Sequence, residues 1–509
     1  MSWLRASTVV AASTLASRVL GFLRDVLMAQ ALGAGVAADA FLIALKIPNL
    51  LRRLFAEGAF SAAFVPLFSQ VQVEEGTSSA LALAGRAMTV LSLALLALTG
   101  LALVAMPLLI GLLAPGFDIF DPRRDLAIEL TRRTFPYVWF ISLAALLAGV
   151  LNVAGSFALP ALVPVILNLV LIAALLLADG APAMVVPVLA LALPIAGILQ
   201  LAALLLACRM AGVPVVPRFD LRDRRIRLLG RRILPGLASA GIYQINVVIV
   251  TIMATALAPG AVSFLYFADR LAQLPLGLIG VAISTALLPL VARRLAEGRF
   301  EEAKAMRNQA VEVALLLTLP AAAGLTALAL PIVQILFGRG AFDLAATAAT
   351  ATALQACALG LPAAVLVRIL AATFFARGDM RTPLLGAAAA LVVNLGAGLA
   401  MLSSLEHLGL AIAASLGSWA NLLVLSWRLG AIEERAFSRR TKQRAASMLA
   451  CAAVCGSLGA QAFEELGRLG DPIALGSAIL VAALGFFAMV TIVRAVRPKE
   501  LTALLRDRA

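Results

Sequence analysis

Histidine is nearly missing from this chain: His407 is the only one among 509 residues. Its scarcity removes the metal sites that need two imidazoles, the HExxH helix, and the Cys/His or Ser/His pairs that activate a nucleophile. Cysteine is scarce too. Cys208, Cys357, Cys451 and Cys455 fall within or at the ends of apolar runs, with no disulfide-like spacing, and read as free thiols at lipid depth. Cys451 and Cys455 share a helix face at i, i+4, but no histidine or carboxylate stands near enough to complete a metal site. No GxxxxGK[ST] loop is present to cradle a nucleotide, and the run GAGVAA at 33–38 imitates a dinucleotide fingerprint without a preceding strand. Charge is the largest deficit. Charged residues make up 13% of the chain, about half the share of a soluble domain.

What fills the space is apolar: 62% of the residues are hydrophobic. Runs such as 89–114 and 161–178 match the roughly 20 residues a helix needs to cross about 30 Å of hydrocarbon. Period-2 alternation is absent, which excludes a β-barrel. The chain is therefore expected to be an all-α polytopic membrane protein, and breaking it at polar and Gly/Pro clusters yields fourteen apolar segments. The basic and then apolar start resembles a signal peptide, yet no convincing cleavage site precedes the next charged run, so it is read as the first retained helix.

The loops sort into two sets. Segments 209–232, 293–307, Arg377 with Arg381, 428–444 and 494–508 are rich in arginine, whereas 33–37, 179–182, 258–261, 403–407 and 464–471 are short, neutral or mixed. The positive-inside rule places the first set, and both termini, in the cytoplasm. Segment 115–133 mixes Asp118, Asp121 and Asp125 with Arg123, Arg124, Arg132 and Arg133, and is assigned to the outside. The net charge of +14 thus reads as an orientation signal; nucleic-acid binding would need a soluble basic domain. The basic tail and the 209–232 loop read as topology anchors, with recruitment of anionic lipid or a cytoplasmic partner as the competing role.

Sliding the chain against itself by about 224 residues aligns several landmarks. PLLIGLLAPGFD (107–118) meets PIVQILFGRGAFD (331–343), AFVPLFSQVQVEEG (63–76) meets ALLPLVARRLAEG (286–298), and SFALP (156–160) meets GDMRTP (378–383). Two pseudo-symmetric six-helix lobes follow, 1–210 and 225–435, with a terminal helix pair and basic tail at 440–509. An even number of spans separates the lobes, so they are parallel repeats about an axis along the membrane normal.

Against this apolar background, 17–60 carries Arg18, Arg24, Asp25, Asp39, Lys46, Arg52, Arg53 and Glu57. A charge at the bilayer centre costs about 2.5–3.5 kcal/mol on insertion scales, so these groups are expected to face one another or water. Asp39, Lys46, Arg53 and Glu57 recur at i+7, i+7 and i+4 and form one polar stripe, with Arg52 one step round and Pro48 bending the helix beside it. Arg18 and Asp25 share a face of the first helix; a bend at Gly21 would let Arg24 serve the same cavity. In the second half, Tyr266, Asp269, Arg270 and Gln273 line one face ahead of Pro275, and the repeat offset sets Arg270 opposite Lys46. Cations outnumber anions in this set, which asks for an anionic guest, and the arginine fork suits phosphate. The competing reading makes them structural ion pairs, such as Arg24 with Asp25 or Asp39 with Lys46, or snorkelling side chains near helix ends.

The motifs SRVLGFLRD, GAGVAADAF, KIPNLLRRLFAEGAFSAAFVP, APGF and YFADRL resemble the MurJ (MviN) family of bacterial lipid II flippases, within the superfamily of multidrug, oligosaccharidyl-lipid and polysaccharide exporters. The resemblance covers nearly the whole chain. It implies fourteen transmembrane helices, two lobes of six set in a V, and a last pair that helps form a groove for a polyprenyl tail. It also implies a central cationic cavity for the diphosphate and sugar head of lipid II, the undecaprenyl-diphosphate disaccharide-pentapeptide. The cavity arginines of the family fall on Arg18, Arg24, Arg52 and Arg270, with Asp39 a further cavity residue. Lys46 and Asn49 join them as substrate-binding candidates, and Asp25, Arg53, Glu57 and Asp269 are gate or ion-pair candidates.

The expected protein is a monomer of the bacterial inner membrane that works by alternating access. It needs no cofactor and is driven by the membrane potential or by a sodium or proton gradient. Gln273 stands where some relatives carry an acid, and sodium-site residues do not map. The competing functions are a polysaccharide-lipid flippase or a drug/cation antiporter of the same superfamily, whose cavity would be rich in carboxylates and aromatics. A membrane glycosyltransferase is a third, for which only segment 115–133 offers catalytic acids.

Overall fold

The computed structural model describes residues 3–53, 60–220, 223–467 and 470–495; Glu57 and the basic tail from 496 onward lie outside the described residues. Every regular element described is a helix. In hydrocarbon a backbone must satisfy its own N–H and C=O groups, and an apolar segment does so by coiling. Among the described residues, ten helical segments are long and apolar enough to cross a membrane.

The chain divides into two compact units, the first comprising residues 1–263 with 339–342. It begins with α1 (Trp3–Leu32), α2 (Val36–Leu51) and α3 (Phe60–Glu75). Pro48 interrupts the hydrogen bonding of α2, which opens into a π-type turn at Arg52 and Arg53. Next come α4 (Thr77–Val104) and α5 (Met106–Leu113), parted at Ala105, then α6 (Pro122–Thr134) and α7 (Tyr137–Val153). Asp121 caps α6 by accepting a hydrogen bond from the Arg123 amide at 2.8 Å. The unit continues with α8 (Ala158–Leu177), α9 (Pro182–Met210) and α10 (Arg224–Thr255). α1 packs on α8, α2 lies between α6 and α9, and α7 and α8 both pack on α9. Between α9 and α10 the chain crosses the start of α4 as an extended strap, with the Arg218 amide donating to the Gly85 carbonyl at 3.2 Å and Arg86 paired to Asp220 and Asp223.

The second unit comprises residues 264–338 and 343–509. Here α11 (Ala261–Pro275) ends on its proline, passes through a π-type turn (Leu276–Gly280) and resumes as α12 (Val281–Ala296). α13 (Phe300–Ala327) and α14 (Ala329–Phe337) follow, then α15 (Leu344–Ala376), α16 (Arg381–Glu433), α17 (Arg439–Leu466) and α18 (Asp471–Ile492). α15 is the central post, packed by α12, α13, α14 and α16, while α13 also carries α17, which pairs with α18. The 53 residues of α16 would run to about 80 Å at 1.5 Å per residue, far more than one bilayer. The helix is broken inside the expected loop, at Glu406 (φ 48°, ψ −127°). Its halves fold back on each other through small residues: a Cβ on Gly417 would come within 2.8 Å of the Ala390 carbonyl oxygen.

Three features of the elements recur 223 or 224 residues apart. The break at Ala105 corresponds to that at Leu328, the π-type turn at 52–53 to that beginning at Leu276, and the end of α1 at Leu32 to the end of α10 at Thr255.

Candidate functional site

α1 runs without a break through Gly21. Arg18 is exposed on it, whereas Arg24 turns onto Asp25, which is 2% exposed. The Arg24 Nη2 lies 2.6 Å from Asp25 Oδ1 and its Nη1 donates to Asn168 Oδ1 at 3.1 Å, while Asn168 Nδ2 donates to the Ser17 carbonyl at 3.0 Å. The ion-pair reading therefore describes Arg24 and Asp25 as they stand in this structure.

Asp39 occupies the first turn of α2, where the helix dipole favours an anion, and is fully buried. It accepts hydrogen bonds from the Gly260 amide at 2.7 Å, the Ser263 amide at 2.9 Å and the Ser263 hydroxyl at 2.6 Å. Its charge partner is Arg123, whose Nη1 lies 3.7 Å away. Arg123 is itself held by Asp121 at 2.7 Å, by the Leu257 carbonyl at 3.1 Å and by the Phe117 ring, 4.5 Å from its Cζ. Burial opposes ionisation of Asp121, but the hydrogen bonds and charge of Arg123 outweigh it and hold that carboxyl below the usual range. Sequence reasoning left Arg123 in an outer loop with no role. The one available signal was the company it keeps, a basic residue two positions after Asp121 and close to the APGF motif.

Asp39 and Ser263 are 224 residues apart. Two glycines with the same spacing flank this point. A Cβ on Gly116 would fall 2.3 Å from the Ala256 amide nitrogen, and one on Gly340, whose φ is +62°, would fall 2.4 Å from the Gln30 carbonyl oxygen. The Ala341 amide then donates to that same carbonyl at 2.8 Å. Each glycine loop thus sits on the end of a helix, Gly116 on that of α10 and Gly340 on that of α1.

The remaining candidates are less enclosed. Lys46 and Arg52 are half-buried, and Asn49 and Arg53 are exposed. In the second unit the half-buried Arg270 places its Cζ 4.7 Å from the centre of the Tyr266 ring, and Gln273 donates to the exposed Asp269. The four-residue face expected from YFADRLAQLP is thus organised as two adjacent pairs.

An all-helical chain whose apolar helices accompany buried arginines and carboxylates has the make-up of a polytopic membrane protein. Solved structures agree on the fold. An inward-facing multidrug resistance MATE family transporter of the MOP superfamily superposes with a TM-score of 0.66 at 16% identity, over 82% of this chain and 96% of that one. A structure described as lipid II flippase MurJ in an inward closed conformation gives a TM-score of 0.79 at 25% identity, over 95% of this chain and 98% of that one.

The sequence narrows the class. A profile of the family described as lipid II flippase MurJ matches residues 28–475. A probable lipid II flippase MurJ of Rhizobium tropici is 39% identical over 90% of this chain and 86% of its own length, and a lipid II flippase MurJ of Burkholderia cenocepacia is 36% identical over 84% and 83%. The chain belongs to the MurJ family of lipid II flippases.

Proposed function

We propose that this chain carries lipid II from the cytoplasmic to the outer leaflet of the bacterial inner membrane, supplying cell-wall synthesis. It is a transporter rather than an enzyme. The observation that carries this reading is the family match over residues 28–475, which includes most of the charged stretch from Arg24 to Arg270. The finer architecture we infer is fourteen spans: a six-helix lobe at 1–210, a second at 225–435, and the pair at 440–509. Breaks and turns that recur 223 or 224 residues apart support it. We place both termini in the cytoplasm, as the arginine-rich loops favour, and take the working unit to be a monomer.

In the mechanism we propose, the cavity opens to the cytoplasm and Arg18, Arg24, Lys46, Arg52 and Arg270, with Asn49, bind the diphosphate and first sugars. Arg24 reaches the guest by exchanging one of its contacts to Asp25 or Asn168, which keeps the carboxylate paired until substrate arrives. Asp25, Arg53, Glu57 and Asp269 then adjust as gate or ion-pair residues. Outward release requires the Asp39–Ser263 junction and the two glycine loops to part. The membrane potential favours outward movement of an anion by about 2.3 kcal/mol per charge per 100 mV, and draws the emptied cationic cavity back.

Reconstitution into liposomes with labelled lipid II tests this. Arg18→Ala and Arg270→Ala are each expected to slow flipping at least about tenfold, the equivalent of about 1.4 kcal/mol. Transport by both variants at the native rate would contradict the binding role. Varying the potential and the sodium gradient separately identifies the driving force.

A further inference from the structure

The strap between α9 and α10 lies directly on the backbone of α4. A Cβ on Gly85 would fall 2.1 Å from the Val216 carbonyl oxygen, so a glycine is what lets the two chains meet. Their contact fixes which strap side chains turn inward. Val213 and Val215 are buried, whereas Val216 is 61% and Phe219 is 81% exposed. Past the strap, α10 opens with Arg224, Leu228 and Arg231 at i, i+4 and i+7, an exposed face with Arg232 beside it.

The acids of this region are already engaged. Asp220 and Asp223 pair with Arg86, whose Nη1 lies 2.5 Å from Asp223 Oδ2, and Glu75 pairs with Arg225 at 2.5 Å. Arg218, Arg224, Arg231 and Arg232 are exposed, and none of them has a carboxylate partner among the described residues. Accessible guanidinium groups thus accompany outward-facing apolar side chains. A topology signal needs the charge alone; a phenylalanine held in the open among arginines calls for an apolar contact as well.

The depth of the strap follows from α4. Gly85 precedes the apolar run at 89–114 by four residues, about 6 Å along a helix. That is within the roughly 5–7 Å that the headgroup zone adds to each face of the hydrocarbon. Val216 and Arg218, seated on Gly85, share its depth. At that level an apolar side chain enters the acyl boundary while a guanidinium group reaches phosphate oxygens.

We propose that the strap and the opening turns of α10 form an interfacial anchor for anionic phospholipid. Val216 and Phe219 enter the acyl boundary, and Arg218, Arg224, Arg231 and Arg232 hold the headgroup phosphates. The choice of leaflet rests on the cytoplasmic placement of 209–232 proposed above, and none of these residues is assigned to lipid II.

The full-length protein carrying Val216→Cys is labelled with bimane and reconstituted in vesicles of phosphatidylcholine, with or without phosphatidylglycerol. Each vesicle also holds a lipid with a nitroxide just below its headgroup, which quenches the label on contact. Cys208, Cys451 and Cys455 are buried and Cys357 is half-buried, and the signal of the unmodified protein treated in the same way is subtracted. Both leaflets hold the same lipids and no lipid II is present, so the outcome depends neither on transport nor on which side the segment faces.

Quenching is expected to be at least about twofold stronger with phosphatidylglycerol. That preference is expected to vanish in Arg224→Gln/Arg231→Gln and in about 1 M salt, where charges are screened beyond about 3 Å. Phe219→Ser is expected to weaken quenching in both kinds of vesicle. Equal quenching with and without phosphatidylglycerol overturns the proposal, as does a preference that survives the double arginine replacement. A label that stays unquenched in both, or Phe219→Ser that matches its parent, does the same. The replaced side chains are exposed, and circular dichroism checks that each variant keeps its helices.

Discussion

Asp25 and Asp39 are both almost inaccessible, yet the chain accommodates their charges in different ways. Asp25 is paired with the neighbouring Arg24 guanidinium, so Arg24→Ala removes a buried carboxylate's ion-pair partner and is expected to cost up to about 3–5 kcal/mol. Asp25→Asn in the same chain should return much of that loss. Thermal unfolding of the two single variants and the double variant checks this, and strict additivity would contradict the pairing. Asp39 instead relies on two amides and a hydroxyl. Asp39→Asn turns an NH2 group toward an N–H donor and is expected to lose about 1–3 kcal/mol, read as a lowered unfolding midpoint. Both aspartates were legible in the sequence, because a charge inside an apolar run declares itself. Their partners were not: Arg123 and Asn168 are brought in by the packing of α6 on α2 and of α8 on α1, which no local periodicity encodes.

Among the elements, the glycine loops at Gly116 and Gly340 are the most constrained. Gly340→Ala adds a methyl against the Gln30 carbonyl oxygen at a left-handed φ, and about 1–3 kcal/mol of destabilisation is expected. Gly100→Ala, where a Cβ would meet nothing within 4 Å, is the control, and should be neutral or slightly stabilising as alanine is the better helix former. Melting temperatures of the two variants decide the matter. At the end of α12, Glu297 is pulled down to about 2, first by the Arg293 hydrogen bond and then, against some desolvation, by those of Arg294 and Arg299. A depressed carboxyl stabilises above its unfolded value near 4.5 and loses that contribution as the pH falls toward about 2. Glu297→Gln is therefore expected to flatten the acid limb of the melting temperature between those two values. The helices themselves were readable from apolar length. The sharpness of their joints was not: the expected loop at 403–407 is a one-residue break at Glu406, since loop length depends on how closely small residues let the flanking helices approach.

For the molecule as a whole, the all-helical membrane class was legible in composition, because it is a property of the chain rather than of its packing. Length and hydropathy alone count ten spans among the described residues. The fourteen-span reading adds α1, α10, the interrupted α2–α3, and a second crossing within α16. The added spans include the charged stretch 17–60, in which cations outnumber anions. The central claim is that this charge excess grips a diphosphate, and equilibrium binding tests it most directly. The purified chain is offered lipid II and the same lipid carrying a single phosphate. We expect at least about tenfold tighter binding of the diphosphate form, with Arg270→Ala narrowing the gap; equal affinity for the two lipids, unchanged by Arg270→Ala, would contradict the account.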